Sequence, residues 1–159
     1  MIKILIADDH PIVRQGLKKI IEETADIAVA EEAGSGHEVI EKVRRNQYDV
    51  IVLDLVMPGM NGLDVLKQLK IERPKLPVLV LSMYPEKQYA VRVLKAGASG
   101  YLTKGSATNE LISAIRKVFS GKRYITPSIA EELVTHLELD SSKPLHETLS
   151  DREFDIMRM

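Results

Sequence analysis

The sequence predicts a doubly wound α/β domain, a (βα)5 chain whose five strands form one parallel sheet. Short β-branched runs recur five times, at Ile2–Ala7, Ile27–Ala33, Val50–Leu55, Val78–Ser82 and Gly100–Thr103. The segments between them carry apolar residues at helical spacing. The central runs are apolar on both alternating faces, as in parallel strands covered by helices on each side, rather than in a sheet with one wet face.

Each element has its own signal. After the first run, Pro11 suits the first turn of a helix, where its missing N–H costs little, and Val13, Leu17, Ile20 and Ile21 give that helix an apolar face. Ser35 with Glu38 writes a capping box ahead of Val39, Ile40 and Val43. Leu63, Leu66 and Leu69 mark a third helix, and Leu111, Ile112, Ile115 and Phe119 a later one. Gly97, Gly100 and Gly121 punctuate the ends of elements, so the domain spans residues 1–121. Beyond Gly121 the pattern changes. Thr126-Pro127 and Ser128 with Glu131 read as helix starts, and Ile129, Leu133, Val134 and Leu137 form one short stripe that must pack on something. Glu138 to Thr148 reads as a polar linker, which assigns 122–148 to a helix plus linker. Ser150 and Glu153 then write a second capping box before Phe154, Ile156 and Met157, so residues 149–159 read as a second domain cut off inside its first helix.

Composition closes several classes. The 159 residues contain no Cys, which excludes thiol catalysis, zinc ribbons and disulfide frameworks. The apolar runs Val50–Leu53 and Val78–Leu81 are far shorter than the ~20 residues of a membrane helix, and the N-terminus has no signal-peptide pattern, so a cytoplasmic chain is expected. Residues 1–120 carry 17 basic and 15 acidic side chains, and residues 121–159 carry 5 and 8. Neither part offers the concentrated basic face that displaces counterions from nucleic acid.

In an open parallel sheet, ligands bind outside the carboxyl ends of the strands, where the strand order reverses. The first strand ends in Asp8-Asp9, the third carries Asp54, the fourth ends in Ser82 and the fifth is followed by Lys104. Three carboxylates at one rim repel one another unless a cation neutralises them, and hard oxygen ligands select Mg²⁺ or a similar divalent ion. Asp9 and Asp54 would hold such an ion, with Asp8 acting through water. It would draw in a phosphoryl group, Asp54 could serve as nucleophile, and Lys104 and Ser82 would contact the phosphoryl oxygens. A lone Asp at a strand end is more often a cap or turn former. Here all five polar residues fall at the same end, and Asp54 interrupts an apolar strand where burying a carboxylate is costly. A dinucleotide or flavin phosphate would need a glycine-rich turn, which Asp8-Asp9-His10-Pro11 lacks. The histidines at 10, 37, 136 and 146 show no zinc-ligand spacing, and His10 reads as a turn residue.

These residues resemble the receiver domain of bacterial two-component response regulators. The likeness rests on Asp8-Asp9-His-Pro-x-x-Arg14, on Leu53-Asp54-Leu-x-Met57-Pro58-Gly59-x-Asn61-Gly62, on Ser82, and on Ala96-Gly97-Ala98-x-Gly100-Tyr101-Leu-x-Lys104. It implies a flavodoxin/CheY-like fold with strand order 2-1-3-4-5. It also implies that Asp54 is the phosphoacceptor, that Asp8, Asp9, Asp54 and the Val56 backbone carbonyl hold Mg²⁺ or Mn²⁺, and that Lys104 contacts the phosphoryl group. Ser82 would be the switch hydroxyl and Tyr101 the rotating aromatic. Gly105 departs from the family pattern, which often has proline there, and puts a cis peptide at that position in doubt. Leu149-Ser150-x-Arg152-Glu153 resembles the opening of the LuxR-type helix-turn-helix that follows the receiver in NarL/FixJ regulators.

The resemblance implies a phosphorelay response regulator rather than an enzyme acting on a metabolite. A sensor histidine kinase would phosphorylate Asp54, phosphorylation would favour a homodimer, and DNA would be reached only through the missing C-terminal domain. A stand-alone receiver acting by protein contact is the alternative. A Mg²⁺-dependent phosphohydrolase is disfavoured, because Val56 stands where an acid/base Asp would be needed, two residues after Asp54.

Overall fold

The computed structural model describes residues 1–57, 59–82, 87–104, 107–125, 130–131 and 134–135, with backbone only at 87–89 and 107–108. Strands β1 (Ile2–Ala7), β2 (Ile27–Ala33), β3 (Val50–Asp54), β4 (Val78–Ser82) and β5 (Gly100–Thr103) alternate with helices α1 (Pro11–Glu22), α2 (Gly36–Arg45), α3 (Gly62–Glu72), α4 (Lys87–Lys95) and α5 (Ala107–Phe119). The sheet is wholly parallel, in the order β2-β1-β3-β4-β5. The order reverses between β1 and β3, which opens a crevice at their carboxyl ends.

Strand pleating divides the core in two. Ile4 and Ile6 of β1, Val50 and Val52 of β3, Leu79 and Leu81 of β4 and Leu102 of β5 pack under Leu17 and Ile21 of α1 and Leu111, Ala114, Ile115 and Val118 of α5. The alternate residues Leu5, Ala7, Ile51, Leu53, Val78, Val80 and Tyr101 face α2, α3 and α4. Burial of both faces is the reason the runs lack a polar alternation. β2 lies at the sheet edge and is less buried, and its pairing with β1 shifts by one residue between Ile4 and Leu5.

The caps fix where helices begin. Pro11 occupies the first turn of α1, after His10. Ser35 accepts from the Glu38 N–H at 3.2 Å, whereas the Glu38 carboxylate reaches past Ser35 to accept from the Gly34 N–H at 2.6 Å. Asn61, which carries no cap assignment from the sequence, accepts from the Leu63 N–H at 2.8 Å. Gly62 presses directly on the chain leaving β3: a Cβ there would stand 2.2 Å from the Leu55 carbonyl oxygen.

Three expectations need correction. Leu55 is buried but lies beyond β3, which ends at Asp54, so the carboxylate closes the strand rather than interrupting it. Phe119 is 48% exposed, because the face of α5 that includes Leu111 and Ile115 continues through Val118, and the next residue turns about 100° away. Val134, assigned to an apolar stripe, is 54% exposed. The expected polar linker, the second capping box and the start of a second domain lie outside the described residues, as do Ile129, Leu133, Leu137 and Gly105. Among the described residues no helix is long and apolar enough to cross a membrane.

Candidate functional site

Parallel register sets the strand ends level. Ala7 pairs with Leu53, Asp54 with Leu81 and Ser82 with Thr103. Two backbone hydrogen bonds carry the alignment past the strands: Asp8 N–H donates to Ala33 O at 3.0 Å, and Lys104 N–H donates to Ser82 O at 2.8 Å. Asp8, Asp54 and Ser82 are all buried, with 1%, 3% and 1% of their surface exposed. Asp9 is half-buried beside them.

The structure brings together every charged residue singled out from the sequence. Lys104 Nζ lies 3.0 Å from Asp8 Oδ2 and 3.2 Å from Asp54 Oδ2. The other Asp54 oxygen, Oδ1, accepts from the Val56 N–H at 3.2 Å. Ligand atoms of Asp8, Asp9, His10 and Asp54 all lie within 4.8 Å of one another. Asp8 Oδ2 and Asp9 Oδ1 are buried, and each has a single nitrogen near it, Lys104 Nζ and His10 Nδ1 respectively, both at 3.0 Å. Three carboxylates share one ammonium, which leaves the cluster with excess negative charge, and the donor set is the oxygen-rich kind that hard divalent cations prefer, so the residues fit such an ion.

The charges are unequally balanced. Burial pushes the Asp54 carboxyl above the ordinary carboxylate range, and repulsion from Asp8 adds to it; the Val56 N–H and the Lys104 ammonium oppose the rise without cancelling it. Burial by itself would lower Lys104. Hydrogen bonding and attraction from Asp8 and Asp54 outweigh it and hold the ammonium above its usual value.

Two parts of the site escape sequence reading. His10 is more than a turn residue: its N–H donates to Asp8 Oδ1 at 2.8 Å, and its ring Nδ1 lies 3.1 Å from that oxygen and 3.0 Å from Asp9 Oδ1. Arg14 braces the same loop, with Nη1 donating to the Asp8 carbonyl and Nε to Glu32 Oε1 at 3.2 Å. Adjacency of His10 to the acidic pair was the available signal; no spacing rule pairs Arg14 with Glu32. Tyr101 is 2% exposed, its ring in the cluster beside α4, on the opposite sheet face from Val50 and Val52.

Comparison with known proteins agrees with this arrangement. Residues 4–116 match the family model described as the response regulator receiver domain. The response regulator UvrY of Escherichia coli (strain K12) is 37% identical over 160 residues, covering all of this chain and 73% of that protein. A LuxR-family two-component response regulator from Aurantimonas sp. SI85-9A1 superposes with a TM-score of 0.77 at 34% identity, covering 84% of this chain and 96% of the other. The isolated receiver of RcsB from Salmonella enterica serovar Typhimurium, solved with the phosphomimetic BeF3⁻, gives 0.75 at 28% identity over 82% of this chain and 96% of that one. With its sheet order, its acidic rim and its relatives in accord, the chain belongs to the response regulator receiver family.

Proposed function

We propose that the chain receives a phosphoryl group on Asp54 and converts it into a conformational signal within a two-component system. The observation that carries this reading is the buried Asp54 carboxylate at the end of β3, with Asp8 beside it and the Lys104 ammonium 3.2 Å away. Receiver domains are signalling proteins that bind Mg²⁺ at an acidic pocket. Asp8, Asp9, Asp54 and the Val56 carbonyl would hold the ion here, and when bound it supplies positive charge that offsets the carboxylates and the phosphoryl oxygens.

An Asp54 carboxylate oxygen attacks phosphorus, the bond to the donor's imidazole nitrogen breaks, and that imidazole leaves with the electron pair. Burial favours this step by stripping water from the nucleophile. Lys104 then contacts a phosphoryl oxygen in place of the Asp54 carboxylate. The Ser82 hydroxyl turns toward the same group, and the Tyr101 ring, buried already, is held in the space beside it. The donor would be a sensor histidine kinase, and the chain itself would be cytoplasmic. Residues 1–121 would act as receiver, 122–148 as helix and linker, and 149–159 as the start of a LuxR-type DNA-binding domain, controlled through a homodimer.

Intact-mass measurement after incubation with acetyl phosphate and Mg²⁺ tests the central step. One covalent phosphoryl adduct is expected, absent in Asp54→Asn. No adduct, or one that persists in that variant, overturns the assignment.

A further inference from the structure

The chain leaving α5 runs back alongside the sheet. Gly100 and Tyr124 form a parallel bridge, in which the Tyr124 N–H donates to Ser99 O at 2.9 Å and the Tyr101 N–H donates to Tyr124 O at 3.3 Å. Tyr124 is held at its far end too. Its hydroxyl donates to Glu110 Oε1 on α5 at 2.7 Å, and Lys117 Nζ lies 5.8 Å from its ring centroid. Ile125 packs, partly buried, on the apolar cluster that contains the Tyr101 ring and Ala90, Val93 and Leu94 of α4. Gly100 leaves the room that this approach needs: a Cβ there would stand 2.9 Å from Tyr124 O and 2.9 Å from Leu79 Cδ1.

The attachment is both specific and slight. Two backbone hydrogen bonds, one phenol–carboxylate bond and the packing of the partly buried Tyr124 and Ile125 hold it, each contributing a modest net free energy, so a modest bias shifts its opening equilibrium. One of those bonds uses the amide of Tyr101 itself. Ile125, the next residue along, rests on the cluster that the Tyr101 ring fills. The segment therefore touches the Tyr101 amide directly and packs on the cluster to which its ring belongs, and it continues into the helical residues Ala130, Glu131, Val134 and Thr135.

We propose that residues 122–125 form a strap on the free edge of β5, clasped when the Tyr101 ring is buried, with Tyr124 as the positioning residue that passes the state of Asp54 to the chain beyond α5. The inference rests on the reading of Asp54 and Tyr101 given above. The structure shows the clasped form together with a buried Tyr101 ring. Phosphorylation, by holding the ring inside, tightens the clasp.

Residue-level hydrogen exchange by NMR on the whole 159-residue chain, before and after acetyl phosphate with Mg²⁺, tests it, with the adduct counted by intact mass in the same sample. The Tyr101 and Tyr124 amides should exchange about fivefold more slowly in the phosphorylated protein. Tyr124→Phe keeps the ring and loses the bond to Glu110. It should take up the phosphoryl group normally, while both amides exchange about fivefold faster and respond less to phosphorylation. An adduct with unchanged or faster exchange in the unsubstituted chain overturns the strap and leaves the role of Asp54 standing. Absence of the adduct overturns the role of Asp54 and, with it, the coupling.

Discussion

Lys104 Nζ stands 3.2 Å from Asp54 Oδ2, although fifty positions separate the two residues in the chain. The same ammonium reaches Asp8, so one cation serves two buried carboxylates. It offsets their repulsion while leaving Asp54 above the ordinary carboxylate range through burial.

Removing that ammonium should have opposite effects on cation binding and on chemistry. Lys104→Met leaves three carboxylates without their internal counterion, so Mg²⁺ affinity, followed by titration calorimetry, should rise about tenfold. Phosphorylation by acetyl phosphate should slow, because the transferred group loses a fixed positive contact. Weaker Mg²⁺ binding in the variant would contradict this account.

The raised Asp54 carboxyl has a stability consequence. A folded carboxyl held above its unfolded value favours the protonated form, so its contribution is fully present below about 3.8 and is lost as pH rises through the folded value. At neutral pH the ionised side chain therefore opposes folding. Asp54→Asn should unfold at a higher urea concentration than the unsubstituted chain at pH 7, and the difference should shrink in acid.

A bound divalent cation reverses that opposition. Thermal unfolding in Mg²⁺ or Mn²⁺ at a hundred times its dissociation constant should show about 2.7 kcal/mol of added stability. Asp9→Asn, which removes one carboxylate charge from the acidic cluster, should lose most of this gain.

Gly62→Ala tests the packing that sets the β3–α3 loop. The added Cβ would meet the Leu55 carbonyl oxygen at 2.2 Å, and backbone cannot yield as a side chain can. A loss of about 3 kcal/mol is expected in chemical denaturation, with slower phosphorylation in whatever remains folded.

Alkaline titration offers a separate check. Burial, together with a hydrogen bond to Glu31, pushes the Tyr48 phenol up to about 12, and burial with Glu110 does the same to Tyr124. Both folded values exceed the ordinary ~10, so the stabilisation is complete below that pH and is lost as pH rises through about 12. Phenolate absorbance should show the Tyr48 and Tyr124 phenols titrating late, with one late-titrating phenol lost in Tyr48→Phe.

Most strand limits were legible because β-branched runs buried on both faces leave little ambiguity. Ile2–Ala7 and Val78–Ser82 fall where their sequence places them. α4 was harder: it is only nine residues long, and its buried stripe of Ala90, Val91, Val93 and Leu94 covers little more than one turn. Phe119 misled because periodicity alone does not distinguish neighbouring positions at the end of a helix. The charged site was legible for a topological reason, since parallel strands bring their carboxyl ends to one rim.

By itself the sequence determined the sheet, its sidedness and which polar residues would share its rim, because alternation and strand-end position are local properties of the chain. The tertiary structure decided what those residues touch. Only packing could place Lys104 between Asp8 and Asp54 and turn His10 onto the acidic pair. Only the close approach at Gly100 could bring Tyr124 onto the amide of Tyr101. Such contacts depend on distances between elements remote in sequence, set by how side chains fill the space between helices and sheet, and residue order specifies them only through the folded whole.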